Sequence, residues 1–236
     1  MGFLTAGHSH AGLLSFELAL DGKSVIVDPG TYSYRMSNPW RDHFRRMEAH
    51  NVVQIDGQDW YMPGGPFRWE RMDTVQPIRS GAWYDHDLKI GYQTRDATGK
   101  KIQHVRSFAA ESSRALSVHD HFEGTGKHRL TFWLHFVPGS RLRHQDGCVF
   151  EIEFCDTAVV LVLEGFGDFQ WEVWESSDNP PAGWVSPGFD QKVAAPTLCI
   201  EDEAEMPADR RISVRIVSGS QPEVPRGETA SLEKLR

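Results

Sequence analysis

The sequence predicts an all-β protein, a multi-stranded antiparallel β-sandwich, and three observations lead there. Apolar and polar residues alternate at period two through most of the chain, no long stretch carries a 3.6-residue repeat, and strand candidates recur roughly every 10 to 15 residues between turn signals such as "TGK", "GTGK" and "QDG".

The first element is a hairpin. Leu14, Phe16, Leu18 and Leu20 alternate with Ser15, Glu17 and Ala19, and Asp21-Gly22 supplies a tight turn before "SVIVDPG". If the hairpin closes there, Asp28 falls opposite Phe16 or Ser15 and not opposite His10. Upstream, "GHSHAG" reads as extended chain, in which an H-x-H pair points both imidazoles to one face. His8 and His10 are then neighbours, and His50, entering a third strand "HNVVQIDG", is placed to join them with Asp28.

The later strand candidates are "LKIGYQTR", "KIQHVRSFAA", "RALSVHDHFEG", "HRLTFWLHFVPG", "CVFEIEF", "AVVLVLEG", "FQWEVWES", "PTLCIEDE" and "RRISVRIV". Two long segments interrupt them. Residues 33–48, "SYRMSNPWRDHFRRME", are polar, aromatic and basic, with room for a helical turn; residues 176–192, "SSDNPPAGWVSPGFDQK", form a Pro/Gly-rich excursion. Long irregular segments in a compact domain are often functional. The expected organisation is one sandwich domain over residues 1–220 and a polar tail over 221–236 that frays.

Composition narrows the function classes. The chain has 236 residues, with Lys+Arg 25 against Asp+Glu 33 and a net charge of -8, a field that disfavours nucleic acid or an anionic surface as partner. Three cysteines without CxxC spacing, Cys148, Cys155 and Cys199, argue against a disulfide framework or a thiolate zinc site and read as buried apolar fillers. No apolar run reaches the roughly 18 residues of a membrane span, and "MGFLTAGHSHAG" lacks the pattern of a secretory signal. Met1 stands only seven residues before His8. The expectation is a domain cut from a longer protein or a short open reading frame.

Two imidazoles and a carboxylate suit zinc, which commonly takes three protein ligands. Spacing alone does not decide the matter in a chain with 11 histidines. A second H-x-H, His119 and His121 in "VHDH", reads as an ordinary pair on a strand face. A cupin barrel also uses H-x-H, but here Glu17 follows His10 by seven residues and no glycine lies five residues before the pair.

Several motifs in order, "GHSHAGLLSFEL", "VIVDPGTYSY", "WRDHFRRMEAHNVVQIDGQDW", "GPFRWER" and "GWVSPGFDQKVAAPTL", resemble the C-terminal β-sandwich domain of the heparinase II/III-like polysaccharide lyases. The resemblance spans residues 7–217. It implies zinc held by His10, Asp28 and His50, with a structural role, and a catalytic role for His8 in β-elimination on uronic-acid-containing glycans. Arg35, Trp40, Arg41 and Arg45, between two of the implied ligands, combine guanidinium forks with aromatic surface and are the candidate contacts to an acidic polysaccharide.

In this family an N-terminal α/α toroid forms the other cleft wall and supplies further catalytic groups. The sequence lacks such a region, so this chain alone is expected to be inactive, its toroid coming from the parent protein or a partner chain. A non-catalytic carbohydrate-binding or structural module is the alternative. The resemblance also suggests a bacterial periplasmic or secreted setting.

Overall fold

A computed structural model describes residues 8–35, 39–65, 67–72, 76–80, 89–96 and 98–218. The expected tail, 221–236, lies outside them. In chain order the strands are β1 (Leu18–Leu20), β2 (Lys23–Ile26), β3 (Val53–Ile55), β4 (Tyr61–Pro63), β5 (Trp69–Met72), β6 (Gln76–Ser80), β7 (Lys89–Arg95), β8 (Lys101–Ser112) and β9 (Ala115–His135). They continue with β10 (Arg141–Asp146), β11 (Val149–Phe154), β12 (Thr157–Glu164), β13 (Gln170–Trp174), β14 (Ser177–Asp178), β15 (Pro181–Ala182), β16 (Trp184–Gly188), β17 (Gln191–Ala194) and β18 (Thr197–Ser218). A short helix α1 (Pro39–His43) and a 3-10 turn (Met47–Ala49) lie in the first long segment.

The fold is an antiparallel β-sandwich organised on two very long strands, β9 and β18, paired with each other from Thr197↔His135 to Arg215↔Ala115. One half of this ribbon carries β13 and β3 on its flanks; the other carries β12-β11-β10 on one side and β8-β7-β6 on the other. The sequence reading divided each long strand in two. "GTGK" reads as a turn signal and "PTLCIEDE" and "RRISVRIV" as separate candidates, whereas Gly124, Gly126 and Pro207 sit where the ladder shifts register between Met206 and Ala208 and the strands continue beyond. Gly126 adopts φ 97, open to glycine without strain, and a bulge of this kind bends a ribbon without ending it. Phe122, Phe132, Leu134, Phe150, Leu161, Leu198, Ile200 and Val214, at alternate strand positions, are buried in one core.

The hairpin at Asp21-Gly22 forms as expected, with Leu20↔Lys23 and Leu18↔Ile26 paired and both turn residues at positive φ. The extended "GHSHAG" does not form: residues 8–17 are turns and irregular chain, Ser15 N–H donates to Gly12 O, and Leu14 sits at φ 64. The excursion at 176–192 is two small hairpins, β14–β15 and β16–β17. Of the cysteines only Cys199 is buried; Cys148 is half-buried and Cys155 exposed, all three free.

Candidate functional site

The site forms where the irregular N-terminal segment, the chain after β2 and the α1 segment meet on the sandwich. Asn51 is the join. Its side-chain amide donates to Phe16 O (2.8 Å) and Val27 O (3.0 Å), its Oδ1 accepts from His135 N–H (2.8 Å), and its own N–H donates to Ser15 Oγ (3.1 Å). One buried residue thereby fixes the segment after His10, the segment before Asp28 and strand β9, immediately beside His50. Below it, Arg106 Nη1 donates to Leu14 O and Asn51 O, both at 2.8 Å. The Arg106 fork is held in turn by Asp120 (2.7 and 3.0 Å), which also accepts from His104 Nε2 at 2.7 Å.

On this support His50 Nδ1 meets Asp28 Oδ2 at 2.7 Å, while Asp28 Oδ1 accepts the N–H of Gly30 at 2.9 Å. Burial raises the Asp28 carboxyl, but the His50 contact and the Gly30 N–H outweigh it and hold the group below the usual carboxylate range. The His10 ring lies 5.2 Å from that of His50, and Arg41 Nη1 comes within 3.5 Å of His10 Nε2. Burial, then the charges of His50 and Arg41, lowers His10 to about 4, so it is neutral at pH 7. The backbone of Gly12 packs on the His50 ring so closely that an added Cβ would stand 3.2 Å from Cγ.

The donor types fit zinc, and His50 has one ring nitrogen left to offer. With Nδ1 engaged by Asp28, its Nε2 is buried with no hydrogen-bond partner. As the side chains stand, no three His, Cys, Asp or Glu among the described residues form a metal-holding group. Asp28 is turned onto His50 instead.

His8 is separated from His10, contrary to the one-face expectation, because the chain between them is not a strand. It is exposed and lies edge-on to Tyr34 (5.2 Å) and Phe67 (5.7 Å). Tyr34 stacks on Phe67 at 5.7 Å and touches Phe189 at 5.4 Å, and Phe67 and Phe189 are 46% and 66% exposed, so the histidine stands in an accessible aromatic patch.

Of the four candidate glycan contacts, two keep surface. Arg35 is exposed and paired with Asp190 at 2.8 Å; Trp40 is half-buried, with Lys192 Nζ 3.3 Å from its ring centre. Arg41 and Arg45 are buried. Arg41 lies over Tyr34 at 4.6 Å, and Arg45 lies over Trp69 at 4.0 Å with Nη1 donating to Gly65 O at 2.6 Å. Arg45 Nε also reaches Ser9 O at 3.4 Å, which ties the chain between the two histidines to the loop after β4.

Sequence reasoning marked the excursion at 176–192 but not the residues in it that reach the site, and it missed Gly30 and Arg106. Lys192 lies over Trp40 and, at 3.8 Å, over Trp184. The β16–β17 hairpin bearing Trp184 and Phe189 docks by Ser186 N–H to Pro29 O and Asp190 N–H to Tyr32 O. Gly30, at φ 85, permits this approach: a Cβ there would lie 2.7 Å from Ser186 O. Arg106 could not be singled out from a strand of ordinary alternation. His119 and His121 are, as read, a pair on a strand face, at 3.1 and 2.8 Å from Asp209.

The profile of the family described as Heparinase II/III-like, C-terminal, matches residues 2–228. No curated protein matches. Among solved structures, a heparinase III, the BT4657 gene product, superposes with a TM-score of 0.66 at 16% identity, covering 94% of this chain and 32% of that one. The heparan sulfate lyase HepC from Pedobacter heparinus superposes with a TM-score of 0.65 at 13% identity, covering 90% and 31%. At such identities the likeness is one of fold, and this chain spans about a third of the length of those structures. The family match over nearly the whole chain, with the sandwich fold it implies in place, establishes that this chain belongs to the heparinase II/III-like C-terminal domain family.

Proposed function

We propose that this domain is the histidine-bearing wall of a polysaccharide lyase that cleaves uronic-acid-containing acidic glycans by β-elimination. The observation that carries this is His8, exposed in an aromatic patch and linked to the His10, Asp28 and His50 cluster through Tyr34 and Arg41.

In β-elimination the C5 proton, α to the uronate carboxylate, is removed and the C4–O4 bond breaks, leaving a C4=C5 double bond and a protonated leaving oxygen. A histidine, titrating near neutrality, can take the C5 proton or return one to O4. Among the described residues of the site, His8 is the histidine with that access. Tyr34, Phe67 and Phe189 offer aromatic surface to the apolar side of a pyranose, and Lys192 and Arg35, paired with Asp178 and Asp190, can re-pair with an anionic sugar beside buried Arg41. The second wall and the groups that neutralise the carboxylate come from a helical toroid.

Zinc bound by His10, Asp28 and His50 would supply a cross-link among three chain segments, structural in role, since elimination needs no activated water. Elemental analysis of purified protein is expected to give about one zinc per chain, lost in His10→Ala and in Asp28→Ala. Metal absent, or indifferent to both changes, would remove the zinc assignment.

In a toroid-containing form of the protein, His8→Ala is expected to lower turnover by about 10²- to 10⁴-fold with glycan binding retained. The readout is the ultraviolet absorbance of the unsaturated product. Unchanged turnover would take His8 out of the reaction, and measurable turnover by this chain alone would contradict its need for a second wall.

A further inference from the structure

The outer face of the half-sheet β13-β18-β9-β3 carries a second constellation, apart from the His8 patch. The ladder sets Glu172 beside Cys199 and Cys199 beside Trp133; one pair on, Gln170 lies beside Glu201. Alternation puts these side chains, with Trp174, on the face opposite Leu198, Ile200, Phe132 and Leu134, which fill the core. Together with Trp171 they line a depression of about 440 Å³.

Its chemistry is specific. Trp133 Nε1 donates to Gln54 Oε1 at 2.8 Å, so the indole N–H is satisfied inside the protein and the ring is held in one orientation. Trp174 is half-buried at the rim; Trp171 pairs with Ile200, so alternation turns its ring to the other face, onto Phe150 (5.4 Å) and His144 (4.9 Å). Between the rings stand two carboxylates, Glu172 and Glu201, and the amide of Gln170, with no lysine or arginine among the lining residues. Concave aromatic sites with a few convergent polar groups are the usual form of a small-ligand site. Indole faces take the C–H face of a pyranose, and carboxylate and amide oxygens accept its hydroxyls. The two carboxylates repel uronate or sulfate, which sets this face apart from the cationic surroundings of His8.

We propose that the depression between Trp133 and Trp174 is a binding site for uncharged hexopyranose units of a glycan, separate from the His8 site. The inference goes beyond the lyase reading and does not depend on it. A second site of this kind would hold a neutral stretch or branch of a polymer while the cationic patch meets its acidic units, and the two together raise the effective concentration of chain near His8.

The test is calorimetric titration of this chain with neutral β-linked tetrasaccharides of glucose, galactose and N-acetylglucosamine, and with a uronate-containing tetrasaccharide as comparison. At least one neutral sugar is expected to bind saturably. Trp174→Ala is expected to weaken it tenfold or more and Glu172→Gln severalfold, while His8→Ala leaves it unchanged. Glu172 is exposed, so its variant remains informative if Trp174→Ala fails to fold. The proposal is overturned if no neutral sugar saturates, if the folded variants bind as the parent does, or if Trp174→Ala instead abolishes self-association in sedimentation. That last result would make a second copy of the chain the occupant. Loss of neutral-sugar binding in His8→Ala would likewise overturn the separateness of the two sites.

Discussion

Arg106→Met is expected to cost about 3–5 kcal/mol of stability, the range for removing one partner of a buried ion pair. Arg106 and Asp120 are 2% and 0% exposed, joined through two hydrogen bonds at 2.7 and 3.0 Å. Burial raises the Asp120 carboxyl, but the Arg106 charge and the His104 contact hold it far below the usual carboxylate range. Without the guanidinium, a carboxylate excluded from water retains only His104, and the carbonyls of Leu14 and Asn51 lose their donor. For a domain of this size each kcal/mol moves the melting temperature by about 2–4 °C, so a fall of roughly 10 °C is the expected observation in thermal unfolding followed by circular dichroism. Arg106→Lys keeps the charge but cannot reach Asp120 and two carbonyls with one fork, and is expected to fall between. A loss below about 1 kcal/mol in Arg106→Met would show that water or repacking replaces the fork.

The Arg106 network also shows where sequence reasoning reaches its limit. The β1–β2 hairpin was legible because Asp21-Gly22 is a local signal, and its pairing runs from Leu20↔Lys23 to Leu18↔Ile26; Phe16 and Asp28 lie beyond the ladder. His50 likewise lies at the end of the long segment, beside Asp28. What failed depended on contacts distant in sequence. Arginine is usually exposed, so Arg41 and Arg45 read as surface groups; carbonyls of residues 9 and 65, and the rings of Tyr34 and Trp69, make Arg45 and Arg41 tolerable inside. The H-x-H pair reads as a strand from its spacing, but residues 8–12 are irregular, with Gly12 packed on the ring of His50, and His8 and His10 meet different neighbours. Short hairpins such as β14–β15 and β16–β17 carry prolines at 180, 181 and 187 and too few residues for alternation to register.

Between about pH 6.5 and pH 4.5 the protein is expected to lose stability steeply, through histidines rather than carboxylates. Burial lowers His135 to about 3 and both His43 and His10 to about 4, and it also lowers His104 against the raising effect of Asp120. His135 Nδ1 lies 2.9 Å from Thr197 Oγ1, with His50 and His43 adding to the depression and Asp28 opposing it. Arg46, His50 and Lys192 add to it at His43. A base with a folded pKa below its unfolded value of about 6.5 binds its proton on unfolding, so its contribution is present above pH 6.5 and is lost as pH falls toward the folded value. Each such histidine costs about 1.4 kcal/mol per pH unit over that interval. Glu48 runs the other way. Burial, then Asp59, raises it to about 7, so it takes up a proton on folding and offsets roughly one histidine down to its unfolded value near 4.5. His135, His43 and His10, less Glu48, leave a net slope on the order of 3 kcal/mol per pH unit, and His104 acts in the same direction. Asp28 and Asp120, held low, retain their contributions through this window. Urea unfolding at pH 7.5, 6.5 and 5.5 in EDTA, which removes any metal-linked protons, measures the slope. His135→Gln should reduce it by about 1.4 kcal/mol per unit, and equal stability at pH 6.5 and 5.5 would mean that these imidazoles reach water in the folded protein.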